Sequence, residues 1–127
     1  MSKRARGKFE RFVALRYWLL KSPAWRSLPA NARAIYVEIA ACYNGSNNGG
    51  ISYSVRQAAE ALHISKPTAC RMLRLLQDRG FIQCTKRGAF SRKTVREASE
   101  WCLTEYHSNY PVAHATKDFM HWQPREN

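Results

Sequence analysis

Ser65-Lys66-Pro67-Thr68 opens a run in which Cys70, Arg71 and Arg74 follow at helical spacing. Such spacing gathers Lys66, Pro67, Cys70, Arg71 and Arg74 on one face of a helix. Serine followed closely by proline is a helix-start signature. The serine oxygen accepts an early N–H, and proline's missing N–H costs nothing in the first turn. The chemistry on offer is recognition of a polyanion. An arginine fork can read guanine, a threonine can meet a methyl or a base edge, and a capped N-terminus keeps its N–H groups near phosphate.

Two further groups carry the same chemistry. Lys86, Arg87, Arg92, Lys93 and Arg96 crowd a segment otherwise made of Gly, Ala, Ser, Thr and Val around Phe90. Such residues suit phosphate or minor-groove contact. Lys3, Arg4 and Arg6 form a basic N-terminal arm, and Ser54 with Arg56 opens another helix start. The net charge is +12, and it is segregated. Residues 1–33 and 66–96 each hold nine basic residues and one acid, whereas residues 34–65 and 97–127 are slightly acidic. An evenly solubilised surface would not divide this way.

Other chemistries find little support. There is no G-x-S-x-G, no phosphate-binding loop and no paired-carboxylate cluster, so no catalytic residues are expected. Cys42, Cys70, Cys84 and Cys102 form no C-x-x-C pair and match no zinc spacing. His114, Asp118 and His121 would share a helix face, but without a metal motif. No metal, cofactor or small-molecule ligand is expected. Cys42, Cys84 and Cys102 stand among apolar neighbours and read as small core residues. No apolar run nears the ~18–20 residues of a membrane span, and no signal peptide is visible, so a reducing cytoplasm fits.

The elements that position these groups follow from pattern. Residues 1–9 read as a flexible arm. A helix is expected over 9–21, carrying Phe12, Val13, Leu15, Trp18, Leu19 and Leu20. Ser22-Pro23 caps a short turn through Leu28. A clearer helix runs over 30–43, with Ile35, Ile39, Cys42 and Tyr43 at near-3.6 spacing. Three Asn and three Gly between 44 and 50 would supply the positive φ of a stop and turn. Ile51 to Tyr53 is short and extended. Ser54-Val55-Arg56-Gln57 is a capping box, opening a helix over 55–62. After His63-Ile64, a second helix runs over 66–79 and stops at Gly80. Residues 81–85 and 99–106 read as two strands of a hairpin with a basic tip. A short helix over 117–122, capped by Thr116, closes the chain.

Helix, tight turn, helix, then hairpin is the order of a winged helix-turn-helix. Residue by residue, Ala58-Ala59-Glu60-Ala61-Leu62-His63-Ile64-Ser65 through Leu76 resembles the bacterial pattern L-A-x-x-L-G-V-S-x-x-T-V-x-R-x-L-x-x-L. Gly80-Phe81-Ile82 matches the G-[FL]-I that follows it. The stretch from Leu28 to Ile82 is similar to the winged-helix domains of small bacterial regulators and of plasmid and phage replication initiators. His63 departs from the pattern by standing at its turn glycine. The resemblance implies an α+β fold, mainly helical with a small hairpin, in which Leu62, Ile64, Ala69, Met72, Leu73 and Leu76 face inward. Residues 10–106 would form the domain, with 1–9 an arm and 107–127 a tail.

The resemblance also implies a nucleoid-associated protein without enzymatic activity. It would bind double-stranded DNA through the 66–79 helix and the wing, and regulate transcription by covering a promoter. A replication-initiator or mobile-element accessory factor keeps the same fold. An RNA-binding or adaptor winged helix is the reading from another class. A homodimer is a further expectation, through the apolar segment at Trp18 and Leu19 and the segment at Trp122, unless both simply cover the core. Trp18, Trp25, Trp101 and Trp122 read as ties between tails and core rather than base-stacking platforms.

Overall fold

The computed structural model describes residues 10–87 and 98–125. The Lys3–Arg4–Arg6 arm, Phe90 and the Arg92, Lys93 and Arg96 part of the expected wing lie outside those residues. The described chain is a mixed α+β fold of five α-helices and small antiparallel sheets. In chain order these are α1 (Tyr17–Leu20), α2 (Pro23–Arg26), α3 (Ala30–Ala41), β1 (Ile51–Ser52), α4 (Val55–Leu62), α5 (Lys66–Asp78), β2 (Ile82–Lys86), β3 (Glu100–Leu103), β4 (Ser108–Asn109), β5 (Val112–Ala113) and a 3₁₀ turn, Asp118–His121.

Three helices form the body. α3 buries Ala32, Ile35, Tyr36 and Ile39, spaced at three and four residues as a core-facing stripe requires. α4 buries Ala58 and Ala59, whose small side chains allow its neighbours to approach closely. α5 buries Ala69, Leu73 and Leu76, with Leu62, Ile64 and Met72 half-buried against the same core. Gly80 takes φ +88 after α5, and its carbonyl accepts from Phe119 N at 3.1 Å. A Cβ there would lie 2.8 Å from Asp118 and Phe119 backbone atoms, so only glycine fits this junction.

The three-stranded sheet has the order β1-β3-β2. Ile51 pairs with Trp101, and Ile82 with Leu103. The register shifts between Cys84 and Lys86, leaving Thr85 as the extra residue before the basic segment. An aromatic cluster closes the end of the body where the two terminal segments meet. Trp25, Tyr36 and Phe81 pack edge to face with centroids 5.6–5.7 Å apart. Phe81 stacks on Phe119 at 4.8 Å, and Phe119 on Trp18 at 5.9 Å.

Several expectations are corrected. The helix expected over 9–21 is only Tyr17–Leu20, and residues 10–15 carry no regular structure. Arg16 is extended (φ −75°, ψ 148°), and its guanidinium is drawn to Glu105 and to the rings of Trp18 and Tyr106. Phe12 is 85% exposed, so it gives an upstream helix no buried face. Cys42 and Cys84 are exposed; only Cys102 of the three is buried. Cys42 caps the end of α3, and β2 buries only Ile82, so apolar neighbours in sequence did not mean a covered position.

In the 44–50 turn only Gly45 and Gly49 take positive φ. The asparagines act through their side chains instead. Asn47 Nδ2 donates to Cys42 O at 2.9 Å, capping α3. Asn48, fully buried, donates to the carbonyls of Leu103, Tyr106 and His107 and accepts from Leu103 N. β3 ends at Leu103 rather than running to Tyr106, because Thr104 turns to donate its hydroxyl to Gly80 O at 2.7 Å. Thr116 does not cap the final turn: its N-cap is Lys117, in left-handed conformation, with no side-chain cap.

Candidate nucleic-acid interface

The turn between α4 and α5 decides where α5 points. His63 ends α4 in left-handed conformation (φ 57°, ψ 46°), which a non-glycine residue adopts at some cost. Ile64 N then donates back to Ala59 O at 3.0 Å. So His63 does the work of the missing glycine, as the sequence placed it. α4 itself starts with the complete capping box. Gln57 N donates to Ser54 Oγ at 3.0 Å, and Ser54 N to Gln57 Oε1 at 2.9 Å. Arg56, exposed, stands 3.7 Å from Glu60, one turn on.

At the start of α5, Ser65 Oγ accepts from Thr68 N at 3.2 Å. The Ser65 hydroxyl donates to Thr68 Oγ1 at 2.9 Å, and Thr68 Oγ1 also accepts from Arg71 Nη2 at 3.2 Å. A polar thread thus joins cap, first turn and Arg71. Its partners are neutral, so Arg71 keeps its full charge toward solvent. Arg74 Nη2 lies 3.7 Å from Cys70 Sγ, a weak contact of the same kind. Lys66, Pro67, Arg71 and Arg74 are exposed; Thr68 and Cys70 are half-buried. Among the described residues, none of the α5 cations has a carboxylate within ion-pair distance. Leu73 and Leu76 fix the opposite side of α5 in the core.

Lys86 ends β2 opposite Glu100, and Arg87, exposed, follows it. Of the expected site, the structure therefore describes Ser54, Arg56, Ser65 with the six positions in α5, Lys86 and Arg87.

Sequence reasoning missed the group that holds the N-terminal segment down. Glu105 is buried, accepts from the Tyr36 hydroxyl, and lies 3.1 Å from Arg16 Nη1. Burial pushes the Glu105 carboxyl up, against the lowering pull of Tyr36 and Arg16. Burial, with the carboxylate beside it, raises the Tyr36 hydroxyl well above its usual range. The one sequence signal was an acid near the end of the strand expected over 99–106. Trp25 and Trp101 are buried, and Trp18 and Trp122 half-buried, so all four tie segments to the core. That arrangement also accounts for Leu19, fully covered.

Among the described residues, no three His, Cys, Asp or Glu side chains converge as a metal site, and Asp118 accepts from Gln83 Nε2 at 3.0 Å. No described helix is long and apolar enough to cross a membrane. Set against protein-family models, curated proteins and solved structures, the chain matches none of them.

Proposed function

We propose that this is a winged helix-turn-helix protein that binds double-stranded DNA and regulates transcription by covering its site. α4 and α5 are the helix-turn-helix, α5 the recognition helix, and the β2–β3 connection the wing. The observation that carries this reading is the outer face of α5. Its N-terminus is capped by Ser65, Arg71 is steered by Thr68, and among the described residues no carboxylate pairs with Lys66, Arg71 or Arg74. A face held for stability alone would pair such cations with acids along the helix. A face meant for the major groove keeps them free for base edges and phosphate.

The roles divide by position. Arg71, with Thr68 and Arg74, would meet base edges. Ser65, Lys66 and the helix N-termini would meet backbone, as would Ser54 and Arg56 on α4. Lys86 and Arg87, with Arg92, Lys93 and Arg96 beyond them, would hold phosphate from the wing, and Lys3, Arg4 and Arg6 from the arm. No step of this reading is catalytic, and no cofactor enters it. The protein would then sit with the nucleoid.

The test is a titration of duplex, single-stranded DNA and structured RNA across salt. Duplex should win, and its affinity should fall with a log–log slope of about −4 to −8 as counterions are released. A slope near zero, or preference for RNA, removes the reading. Genomic pull-down then separates jobs: sites over promoters mark a regulator, whereas iterated origin repeats mark an initiator.

A further inference from the structure

A second group of arginines lies at the other end of α5, and the proposed α5 interface makes no use of it. Arg79 caps the helix C-terminus; its Nε donates to Ser27 Oγ at 2.8 Å, and its guanidinium lies 4.5 Å from the Trp122 ring centroid. Arg33, in the first turn of α3, donates from Nη2 to Arg26 O at 3.3 Å and lies 5.8 Å from the Trp25 centroid. Arg26 is exposed on the same turn that both neighbours reach. The guanidiniums of Arg33 and Arg79 therefore both reach the Arg26–Ser27 turn, on which Arg26 is exposed.

Among the described residues none of the three has a carboxylate within ion-pair distance, and Asp78, next to Arg79, pairs with none of them. Gathering three like charges without an acid is unfavourable for the isolated fold. Helix C-termini at Arg26 and Arg79 offset only part of that. The aromatic rings and single hydrogen bonds fix how Arg33 and Arg79 lie without neutralising them. Uncompensated guanidiniums suit phosphate; with Arg33 Nη2 on Arg26 O and its Nε buried, Arg26 and Arg79 would make the main contacts.

We propose that Arg26, Arg33 and Arg79 form a second phosphodiester-binding face, which takes the backbone of another duplex segment while α5 and the wing hold the first. Along α5, Arg79 lies beyond Arg71 and Arg74 by roughly 8–12 Å at a rise of about 1.5 Å per residue. One molecule would thereby bridge two stretches of DNA. The inference rests on duplex binding through α5, and its test keeps the two apart.

The experiment is sandwich capture. A biotinylated duplex on beads is saturated with full-length protein, washed, and offered a fluorescent duplex of unrelated sequence at low salt. Wild type should capture the second duplex. Arg26→Glu, at an exposed position, should cut capture by about tenfold while leaving affinity for the first duplex within about twofold. Arg26→Lys should retain more capture than Arg26→Glu, since it keeps the charge while losing the fork. Wild type that binds one duplex but never a second overturns the bridging face and leaves the α5 reading standing. Undiminished capture by Arg26→Glu overturns it too, because the bridge must then come from paired copies. Equal loss of both duplexes makes Arg26 part of the first interface and ends the separation. Failure of wild type to bind any duplex removes both readings.

Discussion

Two regions of the molecule hold their side chains in opposite ways. At the starts of α4 and α5, the bonds are local. Ser54 with Gln57, Ser65 with Thr68, and Thr68 with Arg71 all lie three residues apart. At the end where the terminal segments close, the partners are far apart in sequence: Arg16 with Glu105, Arg79 with Ser27, Phe81 with Phe119. Local caps survive whatever happens elsewhere and leave the outward groups able to exchange partners. Long-range clasps exist only when the whole fold is formed. The proposed binding surface and the structural closure are thus served by different kinds of contact, and substitutions should separate them.

The largest expected effect lies in the clasp. Gly80→Ala forces a non-glycine residue to φ +88 and sets its Cβ 2.8 Å from the Asp118–Phe119 backbone. Strain and clash together should cost about 2–4 kcal/mol, read as a lower urea midpoint. Gly45→Ala is the matched control. It has φ +95 with nothing within 4 Å of the new Cβ, so it carries the strain alone, about 1 kcal/mol. Equal losses for the two would mean that the Gly80–Phe119 contact contributes little.

Next comes the proposed recognition face. Arg71→Ala should weaken the preferred duplex by about 1–3 kcal/mol and scarcely touch scrambled DNA. Its melting temperature should be unchanged, since its contacts are the exposed ones to Thr68. Equal losses on both duplexes would make α5 a backbone grip only. Ser65→Ala is smaller and of mixed character. Losing an N-cap costs about 1 kcal/mol of stability, and the same change frees Thr68 and Arg71. Specificity should therefore fall with stability, whereas Ser22→Ala, which uncaps α2 at the clasp, should lower stability alone.

The same division governs what the sequence made legible. Local signals were read almost to the residue: α4 at Val55–Leu62, α5 at Lys66–Asp78, the stop at Gly80 and the left-handed turn at His63. Each depends on residues within one turn of itself. The sheet was legible as a hairpin, but the extra residue at Thr85 and the β4–β5 pair were not, because pairing is fixed by distant partners. The N-terminal helix was over-read for the same reason. Phe12, Val13 and Leu15 look like a helix stripe, yet Arg16 is committed to Glu105, 89 positions away. Asn48 looked like a turn residue and proved to be a buried hub for three carbonyls. The candidate interface was legible because caps and outward cations are local; the approach of Arg79 to the Arg26–Ser27 turn was not, since only tertiary packing brings it there.

The smallest expected effect tests the clasp by pH. Burial raises the Glu105 carboxyl above its unfolded value, although Tyr36 and Arg16 pull it down. The folded state therefore holds that proton more tightly than the unfolded chain does. Its stabilising contribution is complete below the unfolded value, about 4.3, and is lost as pH rises through the raised folded value. Glu105→Gln keeps the shape and still accepts from Tyr36, but it cannot titrate. Its stability curve should run flatter than that of wild type across that window. At neutral pH the variant should stay within about 1 kcal/mol of wild type, because an ion pair to a 43%-exposed Arg16 side chain is well screened. Parallel curves for the two proteins would show that Glu105 titrates alike folded and unfolded. Duplex affinity at neutral pH should be the same for both, since the carboxylate faces Arg16 and Tyr36 and not the α5 surface. A shared loss of affinity would mean that the clasp also sets the proposed recognition face, and the two regions could no longer be treated as independent.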